Sequence, residues 1–322
     1  ISGDFSSKFF NFKCFPLERR SSLLFLMNTP RNTKIYNSLC NEGKLSLYCF
    51  LSTATLVLLP SVPQIYFDIV PNVWGAVVWG PLLYYALINM IIRFVLRNND
   101  YQIALRASFL GFAEAVSILL ILFAPAQWKQ FGVYGFFMAF FHYSEFLAIA
   151  WSNPKSLSVD SFMLNHSLQY IAAASASWLE FILEVYFLPS FKCRYSIWTL
   201  GVLFCIFGEV VRKVAIITAR KSFTHLVQYE KSDSHKLITH GIYAYARHPS
   251  YVGWFWWSIG TQVILVNPIC ILLYTIISWK FFHDRIYVEE ITLLNFFRSD
   301  YHKYQQSVPT GLPFIKGYLL ED

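Results

Sequence analysis

The segment His240–Gly253 combines the residue types of a binding site with a backbone that can form one. It reads HGIYAYARHPSYVG, and its glycines and proline interrupt regular helix. Such interruptions let backbone amides and aromatic rings approach a ligand closely, while His248, Ser250 and Tyr251 supply polar contacts. The competing interpretation is an interfacial aromatic belt followed by a helix that starts at Pro249.

Two arginines elsewhere have a carboxylate on the same predicted helical face. Arg212 follows Glu209 by three residues within an apolar run, with Lys213 beside it. Because a charge inside a membrane span is costly, this position favours a functional role over a structural Glu209–Arg212 pair. Arg285 precedes Glu289 by four residues. On residue spacing alone this second pair is typical of a solvated salt bridge, although it could also present a cation and an anion to a ligand.

The composition indicates that a membrane positions these residues. Of 322 residues, 56% are hydrophobic and 19% aromatic, against 14% charged. A soluble domain does not need so much apolar surface, whereas each membrane-spanning helix needs roughly 20 apolar residues. We therefore predict an all-α, multi-pass integral membrane protein, because only helices and closed barrels satisfy their backbone groups in lipid.

Eight apolar runs predict about eight transmembrane helices. The last two are short and are joined only by Asn267 and Pro268, which predicts a helical hairpin over residues 251–279 that could dip into the membrane. A charged, aromatic helix is expected next, from Lys280 to Tyr304. The runs are Leu45–Leu59, Val73–Ile92, Ala107–Ala124, Phe131–Trp151, Phe162–Leu188, Ile197–Thr218, Tyr251–Val266 and Ile269–Trp279.

These runs divide the chain into three regions without an internal repeat. Residues 1–44 are expected to be an N-terminal tail, partly non-native if Met27 is the natural initiator. Residues 45–218 hold helices one to six, and residues 219–322 form the catalytic region. Arginines between the second and third runs, at 93, 97 and 106, favour a cytosolic location for both termini.

Net charge and cysteine spacing argue against nucleic-acid and metal binding. The net charge is +7, but the basic residues fall between apolar runs and are typical of topology determinants. The six cysteines include no CxxC pair and no zinc-finger spacing, so we expect free thiols and no metal.

Several motifs between Gly208 and Ile315 resemble the isoprenylcysteine carboxyl methyltransferase family. RHPSYVG is similar to motifs of phospholipid methyltransferases and sterol reductases as well. The segments VQYEKSD and VPTGLPFI narrow the resemblance to the isoprenylcysteine carboxyl methyltransferase family. The motifs stand in order as GEVVRK, HLVQYEKSDSHKL, GIYAYARHPSYVGWFWWSIGTQVILVNP, FFHDRIYVEE and VPTGLPFI.

The resemblance implies a reaction and a set of site residues. The family transfers a methyl group from S-adenosylmethionine, leaving S-adenosylhomocysteine, to the C-terminal carboxylate of prenylated CaaX proteins such as small GTPases. It implies an endoplasmic reticulum membrane location with the active site facing the cytosol. Arg212 and Arg285 are the candidates to hold the substrate carboxylate. The candidate cofactor contacts are Gln228, His235, Lys236, Leu237, Ile238, Tyr243, His248, Pro249, Ser250, Tyr251 and Glu289.

Elementary chemistry is compatible with that reaction. A terminal carboxylate with a pKa of about 3.5 is ionised at neutral pH, so it needs placement rather than a general base. Its charge and that of a sulfonium cancel during transfer, which suits a water-poor site at the membrane edge. A prenyl chain would enter between helices from the lipid.

Three other functions stay open from the sequence. A phospholipid N-methyltransferase would use an amine nucleophile and would not need two arginines near it. An NADPH-dependent sterol reductase would also use an arginine-histidine-proline loop. A receptor or channel would need a polar pathway, and the first three apolar runs hold only Glu114, with Asp68 outside them.

Overall fold

The computed structural model describes residues 39–61, 73–164, 168–231 and 235–319, without the side chains of 73–81. Most of the predicted tail, Met27 and Asp68 lie outside the described residues. Within them, regular structure is helical. The main helices are α1 Asn41–Leu58, α2 Val73–Val95, α3 Asn98–Phe123, α4 Lys129–Ser152, α5 Leu168–Phe187, α6 Tyr195–Ala219, α7 Pro249–Leu265, α8 Pro268–Phe297 and α9 Ser299–Ser307.

Three helical stretches in the described part of the chain are long and apolar enough to cross a membrane. They are Asn41–Ser61, Asn98–Phe123 and Ala126–Ser152, and a shorter apolar helix covers Leu82–Val95. The prediction of an all-α integral membrane protein is therefore confirmed. The number of eight spans stays a prediction, because only these three stretches qualify among the described residues.

Two predicted boundaries are wrong for local reasons. The run that begins at Phe162 predicts one long helix from that residue, but Phe162 ends a short 3-10 turn and Met163 follows it with a φ of 54°, and the described part of α5 begins at Leu168. The last helix does not end at Trp279. It continues to Phe297 because no glycine or proline interrupts it, so the predicted charged helix 280–304 is the second half of α8 followed by α9.

Helices α6 and α7 pack closely because glycines face each other. A Cβ added at Gly208 would lie 2.5 Å from the carbonyl oxygen of Gly253, and one added at Gly201 would lie 2.4 Å from the backbone nitrogen of Ile264. Small residues allow such backbone contact between membrane helices. One added at Gly253 would lie 2.7 Å from the backbone nitrogen of Arg212, so this glycine brings α7 against the arginine.

Two charged side chains, Glu180 and the buried Lys192, fix the turn between α7 and α8. Glu180 accepts hydrogen bonds from the backbone N–H groups of Ile269 and Cys270, at 2.7 and 2.8 Å, where α8 begins. Lys192 donates to the carbonyl oxygens of Leu265 and Val266, at 2.8 and 2.9 Å, where α7 ends. The hairpin therefore has defined geometry at the end of the bundle away from Arg212 and Arg285.

Candidate active site

A cavity lies where α6 ends, α7 begins and the second half of α8 meets α9. Eight of the eleven residues predicted to contact a cofactor line it: Lys236, Leu237, Ile238, Tyr243, His248, Ser250, Tyr251 and Glu289. The other lining residues are Ala219, Ser222, Phe223, Thr224, Arg247, Leu293, Phe297, Tyr301 and Tyr304.

The remaining three predicted contacts lie outside the cavity wall. The side-chain amide of Gln228 donates to the carbonyl oxygen of Leu226 at 3.1 Å. The ring of His235 lies 6.4 Å from that of Phe296. Pro249 is buried as the first residue of α7, a position where its missing N–H costs nothing.

The backbone beside His248 is held by a later part of the chain. The N–H groups of Arg247 and His248 donate to the carbonyl oxygens of Pro309 and Thr310, at 2.9 and 3.1 Å. The side chain of Arg247 donates to the carbonyl oxygens of Gln305, Val308 and Lys316. The segment 305–318, here called the C-terminal strap, therefore covers the arginine-histidine-proline turn.

Glu290 joins the strap to this turn. Its buried carboxylate accepts hydrogen bonds from Arg247 Nε at 2.8 Å and from Gln305 at 3.0 Å. His248 Nε2 lies 3.1 Å and the Tyr301 hydroxyl 3.2 Å from the same group. Although burial raises the pKa of Glu290, the hydrogen bonds and positive charge of His248 and Arg247 outweigh it and lower the pKa below its usual value.

Tyr251 lies between the two charged residues of the α8 pair. Arg285 Nε donates to the Tyr251 hydroxyl at 2.8 Å, and that hydroxyl donates to Glu289 at 2.6 Å. Arg285 Nη2 donates to the carbonyl oxygen of His225 at 2.6 Å. The spacing of Arg285 and Glu289 therefore does not produce a simple surface salt bridge. It places a cation and an anion on two sides of one phenol.

Arg212 pairs with a carboxylate other than Glu209, the partner in the competing structural interpretation. Its Nε and Nη2 donate to the two oxygens of Glu145, at 2.7 and 2.8 Å, in a bidentate pair buried between α4 and α6. Glu209 pairs with Lys213 at 3.0 Å. The interpretation as a structural Glu209–Arg212 ion pair is therefore wrong, because the side chain of Arg212 extends across to α4 rather than along its own helix.

Glu145 is shared by further groups. Lys213 donates to it at 2.6 Å, and His225 Nε2 lies 3.0 Å away. Arg212 Nη1 also donates to the carbonyl oxygen of Ser250 at 3.2 Å. Glu145 thus connects α4 to the end of α6, to the segment after it and to the start of α7.

The tyrosines that close the cavity are neutral groups. Burial raises the pKa of Tyr304 to about 12 and moves those of Tyr243 and Tyr301 still further above the usual tyrosine value. The Tyr304 hydroxyl donates to the carbonyl oxygen of Tyr243. These residues can shape the cavity and donate hydrogen bonds, but they do not supply charge at neutral pH.

Sequence reasoning missed three kinds of site residue. Glu145 stands alone in an apolar run, and an ionisable residue there is itself a functional signal. Arg247 belongs to the motif already singled out, next to the predicted His248. Tyr301 and Tyr304 could not be found by pattern, because only the turn at Arg298, with a φ of 47°, directs α9 back over the cavity.

Comparisons with known proteins agree with this architecture. A sequence profile of the "Isoprenylcysteine carboxyl methyltransferase (ICMT) family" matches residues 200–295. The chain is 46% identical to a protein-S-isoprenylcysteine O-methyltransferase of Xenopus laevis, over 88% of this chain and 98% of the relative. It is 49% identical to the Homo sapiens protein of the same name, over 86% of this chain and 94% of the relative.

A solved structure is similar over most of the fold. It is described as the eukaryotic intramembrane Ras methyltransferase ICMT, and it is 48% identical with a TM-score of 0.83. The match covers 87% of this chain and all of the solved chain. Since the similarity extends through the first helices as well as the arginine-histidine-proline turn, this chain belongs to the isoprenylcysteine carboxyl methyltransferase family.

Proposed function

We propose that the chain transfers a methyl group from S-adenosylmethionine to the C-terminal carboxylate of an S-prenylated cysteine. The observation that carries this proposal is the arrangement around Tyr251. Its hydroxyl contacts Arg285 on one side and Glu289 on the other, and Glu289 lines the cavity. A guanidinium for an anionic acceptor and a carboxylate for a cationic donor are thus adjacent.

The cavity fits S-adenosylmethionine by the chemistry of its walls. That molecule supplies an activated methyl group on a sulfonium, and it also carries an ammonium and a polar nucleoside. Glu289 provides a carboxylate, while Tyr243, Tyr251 and Phe297 provide ring faces that attract cations. Backbone amides near the cavity and the buried His248 and Ser250 supply polar contacts.

Arg285 is the better placed of the two predicted arginines to hold the acceptor carboxylate. Among the described residues, its Nε and Nη2 have hydrogen-bond partners, whereas no bond from its Nη1 is found. The bidentate edge of Arg212 is occupied by Glu145, and its Nη1 donates to Ser250. We therefore assign the acceptor carboxylate to Arg285 and a supporting role to Arg212.

The chain needs no general base for this transfer. A carboxylate is ionised at neutral pH, and the work of the site is to orient it and to limit water around two charges that cancel. The rings of Phe281 and Tyr251 flank Arg285, with centroids 5.9 and 5.4 Å from its Cζ, and reduce solvent around it. Apolar surface between the helices would admit the prenyl chain from the lipid.

The proposed location is the endoplasmic reticulum membrane, with the cavity open to the cytosol. Arg93 lies in the last turn of α2 and Arg97 immediately precedes α3, and the beginning of α1 contacts the end of α4, through Gly43 and Ala150. These features belong to the same end of the bundle as the cavity, and the positive-inside rule favours a cytosolic orientation for that end. Proteins processed at a CaaX motif, such as small GTPases, are the proposed partners.

A methyl-transfer assay with three acceptors tests the function. Purified protein in lipid nanodiscs would be given S-adenosylmethionine with a labelled methyl group. The acceptors would be an S-farnesylated cysteine with a free carboxylate, its amide, and phosphatidylethanolamine. We expect a base-labile methyl ester on the first acceptor alone. Transfer to the lipid amine without transfer to the carboxylate would instead support a lipid N-methyltransferase.

A further inference from the structure

We propose that Glu145, on α4, is a positioning residue for Arg285. This inference rests on the proposed role of Arg285 in binding the acceptor carboxylate. Glu145 is fully buried and lies outside the segment that the family profile matches. It does not touch Arg285. It is connected to both residues to which Arg285 donates its hydrogen bonds, directly to the side chain of His225 and indirectly, through Arg212 and Ser250, to Tyr251.

The first connection passes through His225. The side chain of His225 contacts Glu145 at 3.0 Å, while its backbone carbonyl oxygen accepts the 2.6 Å hydrogen bond from Arg285 Nη2. His225 belongs to a non-helical segment after α6, so helix hydrogen bonds do not fix its carbonyl. The contact with Glu145 therefore sets the direction of this acceptor.

The second connection passes through Arg212. Glu145 holds this guanidinium by two parallel hydrogen bonds, and the remaining Nη1 donates to the carbonyl oxygen of Ser250 at 3.2 Å. Ser250 precedes Tyr251, whose hydroxyl accepts from Arg285 Nε. The Glu145 carboxylate thus supports both hydrogen-bond acceptors of Arg285, the one that binds Nε and the one that binds Nη2. These two bonds in turn fix the direction of the remaining nitrogen, Nη1.

A neighbouring carboxylate provides a matched comparison. Glu209 is also buried and also contacts Lys213, at 3.0 Å, but its other described contact is a 3.5 Å hydrogen bond from Ser144. It has no described bond to His225 or to Arg212. Loss of its charge should therefore perturb packing at the same depth without disturbing either acceptor of Arg285.

The test compares Glu145→Gln with Glu209→Gln. For each full-length variant we would measure the melting temperature, the Kd for S-adenosylhomocysteine and the steady-state constants for the prenylated cysteine. We expect Glu145→Gln to lower kcat/KM for the acceptor by about tenfold or more, with the Kd for the nucleoside changed less than about twofold. Glu209→Gln should leave kcat/KM for the acceptor and the Kd for S-adenosylhomocysteine near those of the wild type.

His225→Ala keeps the inference testable if Glu145→Gln fails to fold. This variant leaves the Glu145–Arg212 pair intact and removes only the first connection, so it should show a smaller loss on the acceptor alone. In a double variant the two losses should be less than multiplicative. Equal loss for acceptor and nucleoside, or wild-type acceptor kinetics in a folded Glu145→Gln or His225→Ala variant, would overturn the positioning role. A wild-type protein inactive on the acceptor would instead contradict the proposed function.

Discussion

Two hydrogen bonds and two ring faces define how Arg285 is presented. Its Nε and Nη2 donate to Tyr251 and to His225, and the rings of Tyr251 and Phe281 lie beside its Cζ. A guanidinium can keep both bonds and still direct a third nitrogen elsewhere. An ammonium cannot, because its three donors radiate from one atom on a flexible stem.

Arg285→Lys should therefore lose activity although the charge is kept. A hydrogen bond to a charged group contributes about 1.5–3 kcal/mol, so we expect kcat/KM for the acceptor to fall by roughly ten- to a hundredfold. Steady-state kinetics with both substrates would measure this. Lys280→Gln, which changes an exposed charge on the same helix, is the control and should behave as the wild type. A fully active Arg285→Lys would remove the arginine from the proposed mechanism.

Replacement of the adjacent residues Glu289 and Glu290 should have different effects, one on cofactor binding and the other on stability. Glu289 lines the cavity and accepts from the Tyr251 hydroxyl, so Glu289→Gln should raise the KM for S-adenosylmethionine while the melting temperature changes little. Glu290→Gln should mainly lower the melting temperature, because Arg247 then loses a charged partner in a buried site. Calorimetric binding of S-adenosylhomocysteine beside thermal unfolding separates the two. Identical behaviour of both variants would argue against these assignments.

The glycines between α6 and α7 determine how close Arg212 lies to the turn before α7. Gly253 leaves space that the backbone of α6 occupies, and this allows Arg212 to reach the carbonyl oxygen of Ser250. The glycine of the RHPSYVG motif is thus needed for helix packing rather than for contact with a ligand.

Gly253→Ala should separate the two helices. The added Cβ would lie 2.7 Å from the backbone nitrogen of Arg212, and backbone cannot rotate away, so we expect destabilisation by about 1–3 kcal/mol with loss of activity. Gly135→Ala is the control. Its Cβ would meet the Ser117 hydroxyl at 2.4 Å, which can turn aside. Melting temperature and turnover in detergent would check both variants, and a stable, active Gly253→Ala would contradict the packing argument.

Hydropathy predicts the helices because it reports burial in lipid, but it does not report their ends. The apolar runs predict most ends of α1, α3 and α4 to within a few residues. Helix α8, in contrast, extends far past its apolar part. Eight predicted cofactor contacts line one cavity, and four of them could be found together because they lie in one motif that is continuous in sequence. The partner of Arg212 could not be predicted, because Glu145 is 67 residues away and the choice between Glu145 and Glu209 depends on helix packing.

For the molecule as a whole, ion pairs at one end of the bundle connect helices that hydrophobic packing alone would leave free to shift. Glu145 joins α4 to α6, and Glu290 joins α8 to the arginine-histidine-proline turn and the C-terminal strap. Because charges buried in this way are costly to separate, they favour one relative arrangement of the helices.

The contribution of Glu290 to stability should depend on pH. Its pKa is lowered on folding from the ordinary value of 4.5, so its stabilising effect is complete above that value and is lost as the pH falls through the lowered one. The difference in melting temperature between the wild type and Glu290→Gln should shrink as the pH is lowered below about 5. A difference that grows on acidification below that pH would show that Glu290 is not held as an anion.

The position of the C-terminal strap in the chain has a consequence for biosynthesis. The carbonyl oxygens that hold Arg247 come from residues 305–318, which leave the ribosome after every helix of the bundle from α1 to α9 has been made or begun. Membrane insertion of the helices can therefore precede completion of the cavity. A nascent chain that is arrested before the strap emerges would be embedded in the membrane but could not yet retain a nucleoside ligand, so binding competence would follow insertion of the helices.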